Sequence, residues 1–151
     1  MIGTKAVTVM GWIKSYSYGE SGEGHILDNA KLTSGLANST VAYFIQSDGS
    51  TYVKSANNSL EFNKEQFIVF TRESDGTTNF YIGDKNNAPI LSGSADQDSG
   101  IPVAGTSNVI IGNISGVNKT FDGTINKLQV VEGILSLAEI TQWYSETNKE
   151  I

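Results

Sequence analysis

Few side chains in this sequence are of the kinds that make or break covalent bonds. It has no cysteine, one histidine (His25) and no Gly-x-Ser-x-Gly elbow. A nucleophilic serine needs a base within reach, so triad chemistry is poorly served. His25 sits in the run His25-Ile26-Leu27 and reads as a strand residue rather than a base. Oxygen ligands are more plentiful. Calcium takes about six to eight oxygens from carboxylates, amides and carbonyls. The candidates are Asp28 and Asn29 at a strand end, Asp96 and Asp98 in a polar loop, and Asp122. None matches a calcium motif, and Asp122 reads first as a turn residue bonding nearby amides. Aromatic faces with amide neighbours suit sugar C–H surfaces and hydroxyls. Tyr16, Tyr18, Tyr43 and Tyr52 are the tyrosines expected at the surface. Tyr16 and Tyr18, two apart in one loop, form the best pair, although they serve equally well to pin that loop. Trp12 and Trp143 read as structural, one in a central strand and one on a docking helix.

Composition narrows the partners. The 151 residues carry a formal net charge of −6 with a single arginine, Arg72. That balance argues against nucleic acid as a partner, because such binding draws mainly on Lys/Arg contacts to phosphate. It also argues against an anionic membrane surface. No apolar run approaches the roughly 20 residues of a membrane span, and the N-terminus lacks a signal-peptide pattern. A chain of this length reads as one domain, residues 1–151, and needs no disulfide staples. Sequons occur at Asn38, Asn57, Asn113 and Asn118. In a chain so rich in Asn, Ser and Thr they carry little information about secretion.

The elements that must position these residues are short strands. Residues 5–14 alternate with apolar side chains on both faces, which predicts a central strand. Further strands are expected at 25–27, 40–46, 50–55, 60–62, 66–73, 78–82, 88–91, 109–111 (short and buried) and 121–131. Residues 31–39 read as polar connection. Asp48-Gly49 and Asp75-Gly76 are hairpin turn signals. Pro89 places its strand at an edge, since proline cannot donate to a ladder. Residues 92–107 read as a long polar loop. Between residues 121 and 131 the apolar parity changes, which predicts a β-bulge near Asn126-Lys127. Ser136 followed by Glu139 is a capping box, with Leu137, Ile140 and Tyr144 at helical spacing. Residues 146–150 read as a frayed tail. The expected fold is all-β: an antiparallel two-sheet jelly-roll sandwich with one short C-terminal helix.

Six blocks in order carry a resemblance. They are Val7-Thr8-Val9-Met10-Gly11-Trp12-Ile13-Lys14, Phe67-Ile68-Val69-Phe70-Thr71-Arg72 with Asp75-Gly76, Phe80-Tyr81-Ile82-Gly83, Val109-Ile110-Ile111-Gly112-Asn113, Phe121-Asp122-Gly123-Thr124-Ile125 and Leu135-Ser136-Leu137-Ala138-Glu139-Ile140. Together the chain from about Val7 to Tyr144 resembles the laminin-G-like jelly rolls of the concanavalin A-like lectin/glucanase superfamily. The family often has a strand or two before the Trp strand, and often Trp where this chain has Phe67. It often has Tyr-Val-Asp-Gly where this chain reads Tyr81-Ile82-Gly83-Asp84. Only Met1 to Thr4 precede the Trp strand here, so that either those strands are lost or the domain is trimmed and its open edge is covered by a partner or a second copy.

The resemblance implies a non-catalytic recognition module. It would bind a carbohydrate or cell-surface protein ligand through rim loops, on an extracellular, cell-surface or virion protein. It raises the expectation of calcium, which many relatives hold at a sheet rim. A structural or assembly protein of a virion or surface appendage is the alternative, and a glycoside hydrolase the second. Relatives that cleave glucans need two carboxylates facing one bond. Here the one alternating acidic pair is Asp96-Gln97-Asp98, in a Gly/Ser loop. The expected site residues are therefore Tyr16, Tyr18, Tyr43, Tyr52 and Asn113 for ligand, and Asp28, Asn29, Asp96, Asp98 and Asp122 for metal. The margin from Asn113 to Asp122 is where a rim site would be built.

Overall fold

The computed structural model describes residues 4–37 and 42–151. The chain forms β1 (Val7–Ser15), β2 (His25–Asp28), β3 (Thr33–Ala37), β4 (Ala42–Gln46), β5 (Tyr52–Lys54), β6 (Gln66–Arg72), β7 (Thr77–Asp84), β8 (Ile90–Leu91), β9 (Gln97–Asp98), β10 (Ile110–Ile111), β11 (Gly123–Glu132) and the helix α1 (Leu137–Thr147). Two sheets result. One runs β11-β1-β6-β7-β8, with β9 also on β7, and the other runs β10-β2-β3-β4-β5. Every named ladder is antiparallel.

β1 is central, as its two apolar faces predict. Val7, Val9 and Ile13 point between the sheets toward Ile26, Leu36, Tyr43, Ile45, Ile68, Phe70 and Phe80. Met10 and Trp12 point the other way, with Phe67 and Val69, onto Ile140 and Tyr144 of α1. That helix starts at the expected capping box: Ser136 Oγ accepts from Glu139 N, and Glu139 accepts from Ser136 N. The expected bulge is present. Pairing steps from Met10↔Gln129 to Trp12↔Asn126, and Lys127 takes φ 52°. The extra residue returns Ile125 and Leu128 to the inner side, where both pack on the core. The Asp48 turn forms, with Asp48 Oδ1 accepting from the amides of Ser50 and Thr51. β8, following Pro89, lies at a sheet edge.

Several expectations fail for tertiary reasons. Residues 33–37 form a strand buried along its length rather than a polar connection. At Gly35 the backbone of β2 passes too close for a side chain. A methyl built on Gly35 would overlap the Gly24 carbonyl oxygen and lie 2.9 Å from His25 Cα. Gly35→Ala should therefore cost about 1–3 kcal/mol through overpacking, read as a lowered urea midpoint at unchanged slope. Residues 60–62 are not a strand, although Leu60 is buried in the core and Phe62 packs against it. β10 is an exposed edge rather than a buried strand, because it ends the second sheet. Residues 148–150 continue α1 as a 3₁₀ turn rather than fraying. Lys127 pairs with Glu150, and Lys85 donates to the Ile151 carbonyl. The expected 92–107 loop contains β9 and is tied inward at Ser99, whose hydroxyl meets Ser47 Oγ at 2.7 Å and donates to the Gly76 carbonyl. Thr40 and Val41 of the expected 40–46 strand, and the sequon at Asn38, lie outside the described residues.

Candidate functional site

The outer face of the second sheet is set by its register. Gly35 of β3 lies opposite both His25 and Phe44, and Phe44 lies opposite Lys54. His25, Phe44 and Tyr52 meet on that face. Tyr52 stacks on Phe44 with centroids 4.9 Å apart and planes at 23°, and His25 meets Phe44 edge-on at 5.6 Å. Tyr52 is 41 % exposed while Phe44 is covered, so the phenol ring presents itself to solvent on a hydrophobic bed.

Two loops distant in sequence frame this strip. The loop after β1 meets the loop before β11 backbone to backbone. Tyr16 N donates to Asp122 O, Glu20 N to Thr120 O, and His25 N to Lys119 O. Side chains reinforce the seam. Ser17 Oγ donates to Asp122 Oδ2 at 2.7 Å, and Thr120 Oγ1 to Glu20 Oε2 at 2.8 Å. Asn113 Nδ2 donates to Thr120 Oγ1, while its Oδ1 accepts from the amides of Ile114 and Lys119. Glu23 then joins loop to strip. Its Oε2 lies 2.8 Å from Lys119 Nζ and 3.8 Å from His25 Nε2.

The electrostatics follow from burial beside one carboxylate. Burial, then the charge of Glu23, pushes the Tyr52 hydroxyl up to about 12, so it stays a neutral donor and acceptor. Burial lowers the His25 pKa from its ordinary 6.5, outweighing the opposing pull of Glu23 and Asp28. His25 Nδ1 is buried with no hydrogen-bond partner among the described residues. A neutral imidazole is thus the stable form here. The unfolded chain takes up a proton more readily than the native one, so His25 favours folding fully above about pH 6.5. That contribution is lost as the pH falls from there through the lower native value. His25→Gln should flatten this part of the stability profile, checked by urea midpoints of both proteins across the pH range.

The ten expected site residues divide. Tyr16, Asn113 and Asp122 lie along the loop seam, and Tyr52 lies in the strip that Glu23 joins to it. Tyr16 is 45 % exposed, beneath Lys14 Nζ at 5.9 Å from the ring centroid. Tyr18 belongs to the same loop but is half-buried, edge-on to Phe62 at 5.1 Å, and so pins the loop. Tyr43 is not at the surface: it points between the sheets and packs on Phe70 and Phe80. Asp28 and Asn29 sit at the far end of β2 from His25, tying the turn into β3. Asp28 accepts from Thr33 Oγ1 and Ala30 N, and Asn29 Oδ1 from the amides of Lys31 and Leu32. Asp96 is bound to Asn79, and Asp98 caps Gly100 N. Among the described residues, no three His, Asp or Glu side chains gather as a metal-holding group. The five residues expected for calcium are thus dispersed, each with hydrogen bonds of its own. Lys119 and Thr120 fall within the expected margin from Asn113 to Asp122, whereas Glu20, Glu23 and Phe44 were not expected at a site. Only the cross-chain pairing that juxtaposes residues 16–24 with 113–122 reveals them.

The family model Laminin G 3, described as the concanavalin A-like lectin/glucanases superfamily, matches residues 1–141. Among solved structures, the chain is similar to a heptameric SAP-like pentraxin from Limulus polyphemus, at TM-score 0.62 and 15 % identity, covering 91 % of this chain and 68 % of that one. It is also similar to domain 4 of AbnA, an extracellular arabinanase from Geobacillus stearothermophilus solved with arabinotriose. There the TM-score is 0.59 and the identity 14 %, covering 94 % and 67 %. The botulinum neurotoxin serotype G binding domain aligns at TM-score 0.64 and 14 % identity, covering 96 % of this chain but 37 % of that one. At these identities the likeness is one of fold. No curated protein matches the sequence significantly.

Proposed function

The chain belongs to the concanavalin A-like lectin/glucanase superfamily, and from that premise we propose that it is a non-catalytic recognition module that binds a glycan at the Tyr52–His25–Glu23 rim. The observation that carries this reading is the joined geometry: an exposed phenol bedded on Phe44, beside a Glu23–Lys119 pair and a braced margin of Asn113, Thr120 and Glu20. Such a surface offers a stacking face for a pyranose and both donors and acceptors for its hydroxyls. Neighbours of the same fold include a toxin binding domain and an arabinanase domain solved with a sugar. An extracellular, cell-surface or virion setting suits this role. No described helix is long and apolar enough to cross a membrane. A glycan array probed in calcium and in chelator is the test. We expect a saturable hit that Tyr52→Ala weakens. No binder in either condition, from folded protein, or hydrolysis of a β-glucan panel, would overturn the reading.

A second reading, an assembly domain, is favoured by one specific feature. β11 is the edge of its sheet. Val130 faces the interior beside Val9 yet is 39 % exposed, and Ile111 on the facing edge is 60 % exposed. The sandwich is open along this seam, where a strand from another chain or a second copy could add. Mass in solution discriminates, since a strict monomer whose β11 amides exchange slowly excludes it.

A further inference from the structure

On the outer face of the first sheet a crevice of about 270 Å³ runs between β11 and α1. Met10, Val131, Leu135 and Trp143 make its floor, and Glu139 and Glu146 stand at its margin. Among the described residues, no lysine or arginine lines it. The volume falls below that of pockets for whole small ligands, and suits one long side chain. Its floor is the half-buried flank of the second core cluster. The Trp143 indole is backed by Phe67, with centroids 5.5 Å apart and planes at 28°. Glu139 is fixed by bonds of 2.8 and 2.7 Å from Ser136 N and Oγ, and Glu146 accepts from Gln142 Nε2 at 3.0 Å. Glu146 also stands in the last turn of α1, which carries no basic residue. There a carboxylate meets the negative end of the helix dipole unfavourably, and a cation placed beside it is stabilised by both.

We propose that this crevice receives an arginine side chain of a partner protein, its methylenes on Val131 and Leu135 and its guanidinium between the Trp143 indole and the two glutamates. Charge complementarity selects the occupant. The site joins an apolar floor, an aromatic side chain and two anions, in a chain of net charge −6. A planar guanidinium uses all three at once, stacking on the ring and donating in a fork to a carboxylate, whereas a lysine ammonium is a point charge. The inference is independent of the glycan rim on the other sheet.

The test is titration of the full isotope-labelled chain with a short blocked Gly/Ser peptide bearing one central arginine. Matched peptides carry citrulline or lysine instead. The arginine peptide should shift the resonances of Val131, Gln142 and the Trp143 indole, and the citrulline peptide should not. Glu146→Gln, an exposed and structurally mild change, should weaken binding about two- to fivefold, the range of an exposed ion pair. Val131→Trp, which fills the crevice, should abolish it, provided the amide spectrum remains that of the folded chain. No shifts at all, equal shifts from the citrulline or lysine peptide, or binding unchanged by Glu146→Gln would each overturn the proposal.

Discussion

Truncating Trp12 to alanine should cost this fold about 3–5 kcal/mol, the range for a large aromatic removed from a packed interior. Trp12 is fully buried at the centre of the cluster that holds α1 on the first sheet. Its ring stacks on Tyr144 at 5.5 Å and 25°, leans on Phe67 at 5.3 Å, and donates from Nε1 to Thr147 Oγ1 at 2.8 Å. The alanine variant loses the packing and the hydrogen bond together and leaves a cavity under the helix. Against a typical total of about 5–15 kcal/mol, that is a large fraction. Trp12→Phe separates the contributions. It keeps most of the ring and forfeits the hydrogen bond, for a cost nearer 1 kcal/mol. Urea unfolding followed by the fluorescence of the remaining Trp143 measures both. A loss below about 1 kcal/mol for the alanine variant would mean that α1 is not seated by this residue.

The second large effect is on binding. Tyr52→Ala should weaken the glycan found on the array about tenfold, as truncation of a central aromatic contact does. Tyr52 lies on edge strand β5 and stacks outside the core, so the chain should remain folded. The companion variant Glu23→Gln removes the partner of Lys119 and the charge beside His25 without changing the shape of the margin. It should weaken binding less, by a few-fold, since a partly exposed pair contributes about 0–1 kcal/mol. Calorimetric titration with the array hit reads both. Unchanged affinity in Tyr52→Ala would place the ligand elsewhere on the molecule.

Much of the architecture was legible because it is written in residues a few positions apart. The capping box needs only Ser136 and Glu139, the turn only Asp48 and its next neighbours, and the edge position of β8 only the missing amide of Pro89. The bulge in β11 was legible because a strand can change the face of its apolar side chains in few ways. The small residues of β3 misled for the converse reason. Thr33, Ser34 and Gly35 look like linker chemistry, yet they form a buried strand, and at Gly35 the close passage of β2 leaves no room for a methyl.

Tyr43 and Phe44 show where local pattern stops. Adjacent strand residues must face opposite ways, so one of the pair had to be buried and one turned outward. Composition alone favours the tyrosine outside, since it carries a hydroxyl. The register with β3 reverses that: Tyr43 opposes Leu36 on the inner face, and Phe44 opposes Gly35 on the outer. The buried hydroxyl lies 3.4 Å from Ser34 Oγ, a partner the sequence pattern does not point to.

By itself the sequence determined the class of fold, the central strand, the turns and the helix start, because these follow from side-chain periodicity and contacts within one or two turns of chain. It also placed Tyr16, Asn113 and Asp122 in loops able to carry a site. Only the tertiary structure decided that those loops meet. Thr120 and Glu20 are 100 positions apart, and no local rule brings them into one hydrogen bond. They are joined because β2 leaves the first loop at the point where β11 begins, and unpaired backbone groups there must find partners.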